Sequence, residues 1–427
     1  MSSSRDPYGG WHLGGRMMND GRGVEMTVPP LGRQFNVLDF GHMLAGPFAT
    51  KLLRDVGGSI IKVEQPPKGD PTRYHTPESG DVSGQFAAYN AGKKSIVVDL
   101  SIPEGREIAH RLVKWADVML NNFRPGVMNK FNLGADTTRL LNPQLIYCSI
   151  SGFGSRGPLA SRGANDVVIQ AFSGLMSLTG EEDGDPVRVG ASIVDLSTGV
   201  FAALGIVTAL NKRTLTGVGS EIQVSMLGSI LSLLGANFTD YWASGALSSR
   251  AGTGTHRMGQ PNGGFATADG MVVFAAATDR LWSKVCQALG LEELIEDPRF
   301  LDREARLRNR TELNDEITKV TRTKTTDECV KVLALMDVPV APLNSVNEMA
   351  AEEQLVALDL IRQVDVIGNR VPAFRIPIDF EGNDDSSDLV APQLGGNTQE
   401  ILQMVGYSGP EIDALSAKGA VVLPPRP

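Results

Sequence analysis

Between residues 35 and 225, short runs of apolar and β-branched residues alternate with longer stretches of helical periodicity, and this alternation constrains the fold more than any other feature. "FNVLDF" (35–40), "SIIKVE" (59–64), "SIVVDL" (95–100), "ADVML" (116–120) and "LIYCSI" (145–150) each read as a strand buried on both faces. The segments 46–56, 103–115 and 166–176 between them read as helices, followed by long helical patterns over 195–213 and 226–244. Strand–helix alternation of this kind demands a parallel sheet with helices packed on its faces, because parallel neighbours need crossover connections. The expectation is therefore an α/β chain with a Rossmann-like parallel sheet.

At 427 residues the chain exceeds the usual span of one core, so a second domain is expected. The texture changes at "SGALSSRAGTGTHRMGQPNGG" (244–264), a Gly- and Ser-rich loop, and the following residues carry a strand, "GMVVFAA", and amphipathic helices. The division that results is a flexible N-terminal extension over 1–30, a large α/β domain over 31–225 and 340–427, a linker helix over 226–250, and a smaller α+β domain over 251–339. The tail contributes strand-like pieces over 361–374 and a helix over 397–405.

Composition excludes several function classes. The formal charge is −9, with 40 basic and 49 acidic side chains scattered along the chain, so no electrostatic footprint for nucleic acid is present. The apolar run around 206–210 soon meets Lys212 and Arg213, which argues against a membrane span, and the first 30 residues lack the apolar core of a secretion signal. Cys148, Cys286 and Cys329 are widely separated; a reducing cytoplasm fits them better than a disulfide framework or a metal cluster. "AAYNAGKKS" (87–95) imitates a phosphate loop but has Ala87 for its first glycine and Lys94 where Ser or Thr is needed. "GTGTHRMG" (252–259) has Arg257 in place of the third glycine of a dinucleotide fingerprint. His42, His75 and His256 stand alone, and no nucleophile elbow occurs.

Four segments carry a more specific signal: residues 38–73, "YNAGKKSIVVDL" (89–100), "ADVMLNNFRPGVMNKF" (116–131), and "GANDVVIQAFSGLMSLTGEEDGDPVRVGASIVDLSTG" (163–199). In order and wording they resemble the family III CoA-transferases (the CaiB/BaiF type), and the last is most similar to the branch acting on short dicarboxylates. The resemblance implies an acyl-CoA:carboxylate CoA-transferase on an interlocked homodimer, or on a similar pairing with a paralogous subunit. It also implies acyl-CoA and a free carboxylic acid as substrates, succinyl-CoA first among donors, and no permanently bound cofactor or metal.

Asp195 matches the family's catalytic aspartate, and Asp166 matches a second acidic position near the thioester. His42, Met43, Leu44 and Ala45 fall where the family touches CoA and the reacting carbonyl. Gln65, Val98, Asp99, Leu100, Ser101, Asn122, Phe123, Arg124 and Lys130 match positions lining the nucleotide, with Lys93 and Lys94 as further cations for its phosphates. Leu44 replaces the glutamine of formyl-CoA transferase, and Gln65 replaces an arginine. Asn165 stands where the related racemases carry a histidine, which sets aside an acyl-CoA racemase or epimerase as the alternative reading. Gly259 and Gln260 correspond to a glycine loop over the active site. Arg73 and Arg188 are candidates for the distal carboxylate of a dicarboxylic acid.

The position of Asp195 also suits it to cap the helix that it opens. A carboxylate must be ionised to attack a thioester, and a helix N-terminus favours that form by roughly 0.3–1 kcal/mol in exposed settings. Attack forms a mixed anhydride that keeps the acyl group activated, which is nucleophilic catalysis.

Overall fold

The computed structural model describes residues 35–75, 78–79, 82–255, 258–380 and 389–424. The extension expected over 1–30 lies outside the described residues, as do His256 and Arg257.

Six parallel strands build the main sheet: β1 (Phe35–Asp39), β2 (Gly58–Glu64), β3 (Lys94–Val98), β4 (Val118–Asn121), β5 (Ile146–Ser151) and β6 (Glu221–Ser225). Their spatial order is β3-β2-β1-β4-β5-β6, the doubly wound arrangement that reverses direction between β1 and β4. A short strand near the C-terminus, Val421–Val422, pairs antiparallel with β3 and closes that edge. Five of the strands lie within a residue or two of where the sequence puts them. β6 was not expected as a strand; its "EIQVS" alternates on a half-exposed edge instead of forming a continuous apolar run.

Helices α1 (Ala45–Asp55), α2 (Gly84–Asn90), α3 (Pro103–Trp115), α4 (Val127–Lys130), α5 (Ala135–Leu141) and α6 (Asp166–Phe172) connect or flank these strands. Then come α7 (Ile193–Thr216), α8 (Met226–Leu233) and α9 (Gly235–Ser244). The sheet separates two cores, one built on Leu38, Ile96, Leu112 and Met119, the other on Val37, Leu53, Ile146, Val194 and Ile206. The second core is sealed by α1 against α7, the most extensive helix pairing in the molecule.

Two expectations are corrected by local backbone chemistry. The helix expected over 166–176 stops at Phe172, because Gly174 adopts φ +88° and the chain continues as a 3₁₀ turn over Leu175–Leu178. The single pattern over 226–244 divides at Leu234–Gly235 into α8 and α9, where glycine lowers helix propensity.

A third core, formed by Phe265, Trp282, Leu313 and Leu333 among others, packs under an antiparallel sheet of Asn262–Ala266, Met271–Ala275 and Val340–Pro342. The last of these strands carries that body past residue 339. Strands Ile361–Val366 and Asn369–Phe374 form a hairpin, joined by Leu389–Val390, that packs on Phe86 and Ala87 of α2. α7 is long and apolar enough to cross a membrane by length and composition alone, yet one face of it is core.

Candidate active site

The crevice beyond the carboxyl ends of β1 and β4 is where an open α/β sheet binds ligands, since its crossovers diverge there. β1 ends in a turn so close that a Cβ on Gly41 would lie 2.7 Å from Asp39 Oδ1 and 3.0 Å from the Cα of Gly46. Met43 takes φ +63°, and Leu44 and Ala45 open α1. A reciprocal pair clamps this turn to the loop after β4: the His42 amide donates to Asn122 Oδ1 (2.9 Å), and Asn122 Nδ2 donates to the His42 carbonyl (2.7 Å). The Phe123 ring lies over the His42 imidazole at 5.0 Å between centroids. His42, Gln65, Gly69, Asp70 and Phe123 line a 230 Å³ cleft, and the buried His42 Nδ1 has no hydrogen-bond partner among the described residues. Burial draws the His42 imidazole below its ordinary value, against the pull of Asp70.

Asp195 stands at the third residue of α7 rather than at its cap, which is Ser192. This corrects the expectation of a self-capping aspartate. The free amides of that first turn are taken by another carboxylate: Asp166 Oδ2 accepts from Val194 N (2.9 Å) and Asp195 N (3.2 Å). Asp166 is itself buried and held by Gln170 Nε2 (2.6 Å), whose Oε1 accepts from Val189 N (2.9 Å). The Asp195 carboxylate accepts no hydrogen bond among the described residues. Burial pushes it up to about 7, and the neighbouring Asp166 carboxylate adds to the rise. The first-turn amides of α7 therefore serve Asp166 rather than the Asp195 carboxylate.

Three of the matched segments converge on Asp195. One turn along α7, a Cβ on Gly199 would meet Phe48 Cδ1 at 2.9 Å, the Ala45 carbonyl oxygen at 3.0 Å and the Ala49 nitrogen at 3.2 Å. The first turns of α1 and α7 thus meet backbone to backbone. The Arg124 guanidinium lies against Gly163, where a Cβ would come within 2.3 Å of Nη2. That contact joins the loop after β4 to the segment presenting Asn165 and Asp166. Asn165 is the exposed cap of α6, accepting from Val168 N at 3.2 Å.

The other expected residues fall elsewhere. Arg73 is 4 % exposed and paired with Glu64 through Nε (2.8 Å) and Nη2 (2.6 Å), with Nη1 on the Pro392 carbonyl, so its donors are occupied by the fold. Lys93 is likewise buried, bound to Asp39, Thr50, Asn90 and the Pro47 carbonyl. Burial draws its ammonium down to about 7, with Asp39 opposing the shift. Neither is a cation free to meet a phosphate or a distal carboxylate. Lys94 is exposed and paired with Glu400. Arg124, Lys130 and Gln65 are exposed, and Arg188 is exposed with no partner among the described residues.

Val98 packs in the core with its backbone beside Val421, and Asp99, Leu100 and Ser101 form the turn after β3, with Asp99 Oδ1 accepting from Ser101 N (2.8 Å). Gly259 and Gln260 are buried in the smaller body. The Gln260 amide is occupied by the Thr255 carbonyl and Asn262 N, and its carbonyl by Arg306 Nε (2.9 Å).

Two residues near Asp195 were missed by sequence reasoning. Gln170 follows Asp166 at helical i,i+4 spacing, a signal present in the chain. Tyr89 has none, because only the packing of α2 on α1 brings it to α7.

The model of CoA-transferase family III matches residues 33–398. The chain is 35 % identical over 382 residues to a succinate–glutarate CoA-transferase of Agrobacterium fabrum, covering 88 % of this chain and 95 % of that one. It is 38 % identical over 360 residues to an acetyl-CoA:oxalate CoA-transferase of Acetobacter aceti, covering 84 % and 91 %. Among solved structures, a CAIB/BAIF family protein from Brucella suis superposes with a TM-score of 0.78 at 34 % identity, over 88 % of this chain and 99 % of that one.

Proposed function

Because this chain belongs to CoA-transferase family III, we propose that it moves CoA from succinyl-CoA to a free dicarboxylic acid, with Asp195 as the nucleophile. The observation that carries this reading is an unpaired carboxylate, raised to about 7, in the first turn of a helix packed against the ligand crevice of the sheet. A carboxylate deprived of hydration and hydrogen-bond donors is a stronger base and nucleophile than one in water once it ionises.

One carboxylate oxygen of Asp195 attacks the thioester carbonyl carbon, the C–S bond breaks, and CoA leaves as thiolate. The thiolate then attacks the Asp195 carbonyl carbon of the mixed anhydride, releasing the donor acid and leaving an aspartyl-CoA thioester. The acceptor carboxylate repeats both exchanges in reverse. No protons are consumed. In this sequence Asp166 fixes the first turn of α7, and its charge keeps Asp195 basic. The His42–Ala45 and Asn122–Arg124 loops receive the CoA chain, and Lys130 and Arg124 supply cations for its phosphates. Arg188, exposed and unpartnered among the described residues, is the cation we assign to the distal carboxylate of the acid.

The acid is read as a dicarboxylate because relatives named for glutarate, D-citramalate and mesaconate share succinyl-CoA or succinate as the counterpart. Racemisation is not favoured, since Asn165 cannot supply the second proton-transfer group that such chemistry needs. The homodimer is supported by exposed apolar side chains: α7 exposes Val200, Leu204 and Val207, and α9 exposes Tyr241 and Trp242, the last 75 % open. A second copy would cover these side chains, and a reducing cytoplasm suits the three free, buried cysteines.

Incubation of the purified protein with succinyl-CoA and a panel of free dicarboxylic acids, with the new thioesters read by mass, tests the reading. Transfer to at least one acid and capture of an enzyme-bound acyl group by hydroxylamine are expected. Deuterium exchange at the α-carbon without transfer would favour the racemase instead.

A further inference from the structure

Tyr89, at the end of α2, is not among the residues that the family resemblance carries over. Its ring meets Phe48 edge to face, 5.7 Å between centroids at 81°. Phe48 in turn fills the space beside Gly199, which lies on the same face of α7 as Asp195 one turn away. Tyr89 is thereby fixed by aromatic packing beside the first turn of α7. The Asp195 charge reaches it, since the phenol is raised first by burial and then by that carboxylate. Yet the two groups share no hydrogen bond, and the half-buried Tyr89 hydroxyl has no hydrogen-bond partner among the described residues. Tyr89 is not among the buried polar groups left without a partner, so its hydroxyl stays open to whatever enters beside Asp195.

The Tyr89 hydroxyl and the Asp195 carboxylate, neither hydrogen-bonded among the described residues, are both left to a third group. Resting on the transferase reading above, we propose that the Tyr89 hydroxyl is a catalytic hydrogen-bond donor to the acyl oxygen of the thioester that Asp195 attacks. As the Asp195 oxygen bonds to the carbonyl carbon, the π electrons move onto the acyl oxygen, which becomes an oxyanion. The Tyr89 O–H donates to that oxygen without transferring its proton. When the C–S bond breaks, the electrons return to form the anhydride carbonyl and sulfur leaves with its pair as CoA thiolate. The same donor serves the acceptor half-reaction. Because the phenol is pre-positioned by Phe48 rather than by a bond to Asp195, it costs no reorganisation when charge develops.

The test is Tyr89→Phe in the full-length protein, with succinyl-CoA and glutarate as probes. Phenylalanine keeps the ring and its packing on Phe48, so the thermal midpoint stays at the wild-type value. The expected result is a kcat lower by about 10²-fold, the effect of removing one oxyanion donor, with KM for succinyl-CoA within about twofold of wild type. The acid limb of kcat/KM stays in place, since Tyr89 makes no bond to Asp195. A Tyr89→Phe enzyme within threefold of wild type overturns the proposal, as does a loss accompanied by movement of the acid limb, which would mean that Tyr89 only shapes α7. No transfer by the wild type to any of the acids overturns the functional reading and this inference together, whereas transfer by the wild type with Tyr89→Phe unchanged overturns this inference alone.

Discussion

Two groups of acidic side chains lie around the same end of the main sheet and have opposite fates. In the first, Asp39, Glu64 and Asp70 are sealed with Lys62, Arg73 and Lys93 at the ends of β1 and β2. Burial alone would push these carboxylates up. The lysines and the arginine, with hydrogen bonds from Thr50, Ser95, Thr72 and backbone amides, outweigh it, and Asp70 ends at about 2. In the second, Asp166 and Asp195 face one another on α6 and α7 with no cation between them, and Asp195 ends at about 7. Asp195 is only half-buried where Asp39, Glu64 and Asp70 are sealed, yet it is the one pushed up, so the partner decides. A network of paired charges fixes the turn that holds His42 and Met43, while the carboxylate with no cation partner among the described residues is the proposed nucleophile.

The strongest break in this comparison is Asp195→Asn, which removes the proposed nucleophile. Transfer activity should fall by at least about 10³-fold while the fold and CoA binding survive, read by initial rates and by titration with CoA. The same variant sharpens the electrostatics. A carboxylate whose folded value is raised binds its proton more tightly in the folded state, so it costs the wild type stability progressively as pH rises from about 4 through 7. Asp195→Asn should therefore gain on the wild type in urea midpoint over that window.

In the paired group the expected loss is of stability rather than of chemistry. Glu64→Ala strands the Arg73 guanidinium in the interior and should cost about 3–5 kcal/mol in urea unfolding. Asp166→Asn retains an acceptor for Val194 N but removes the facing charge. The acid limb of kcat/KM, expected near pH 7 in the wild type with activity lost below it, should move to lower pH by up to roughly one unit. The smallest effect is expected at Arg188→Gln, whose exposed cation is the one proposed for the distal carboxylate. KM for the acceptor acid should rise several-fold, with kcat for monocarboxylic acids unchanged.

Much of the architecture was legible in the chain because it depends on local periodicity. Continuous β-branched runs fixed five strands of the parallel sheet, and the edge strand β6 escaped because half of it faces solvent. Asp195 and Asp166 were legible through motif wording. The environment of Asp195 was not: its cap position was misjudged by three residues, and nothing local tells that Asp166 takes the helix amides. Arg73 and Lys93 illustrate the same limit. A basic residue on a loop reads as an available cation, and only the return of strands from 300 residues away and the closure of β1 on α1 reveal that each is already engaged.

The sequence by itself determined the parallel sheet, through local periodicity, and the family, through the wording of four segments, and it singled out Asp195 as the candidate nucleophile. Tertiary structure alone decided which charges are spent on the fold and which stay reactive, because a pKa depends on what lies within a few ångströms rather than on what is adjacent in the chain. It also decided the meeting of Tyr89, Phe48 and Gly199 beside Asp195, for which three helices distant in sequence must pack at one point.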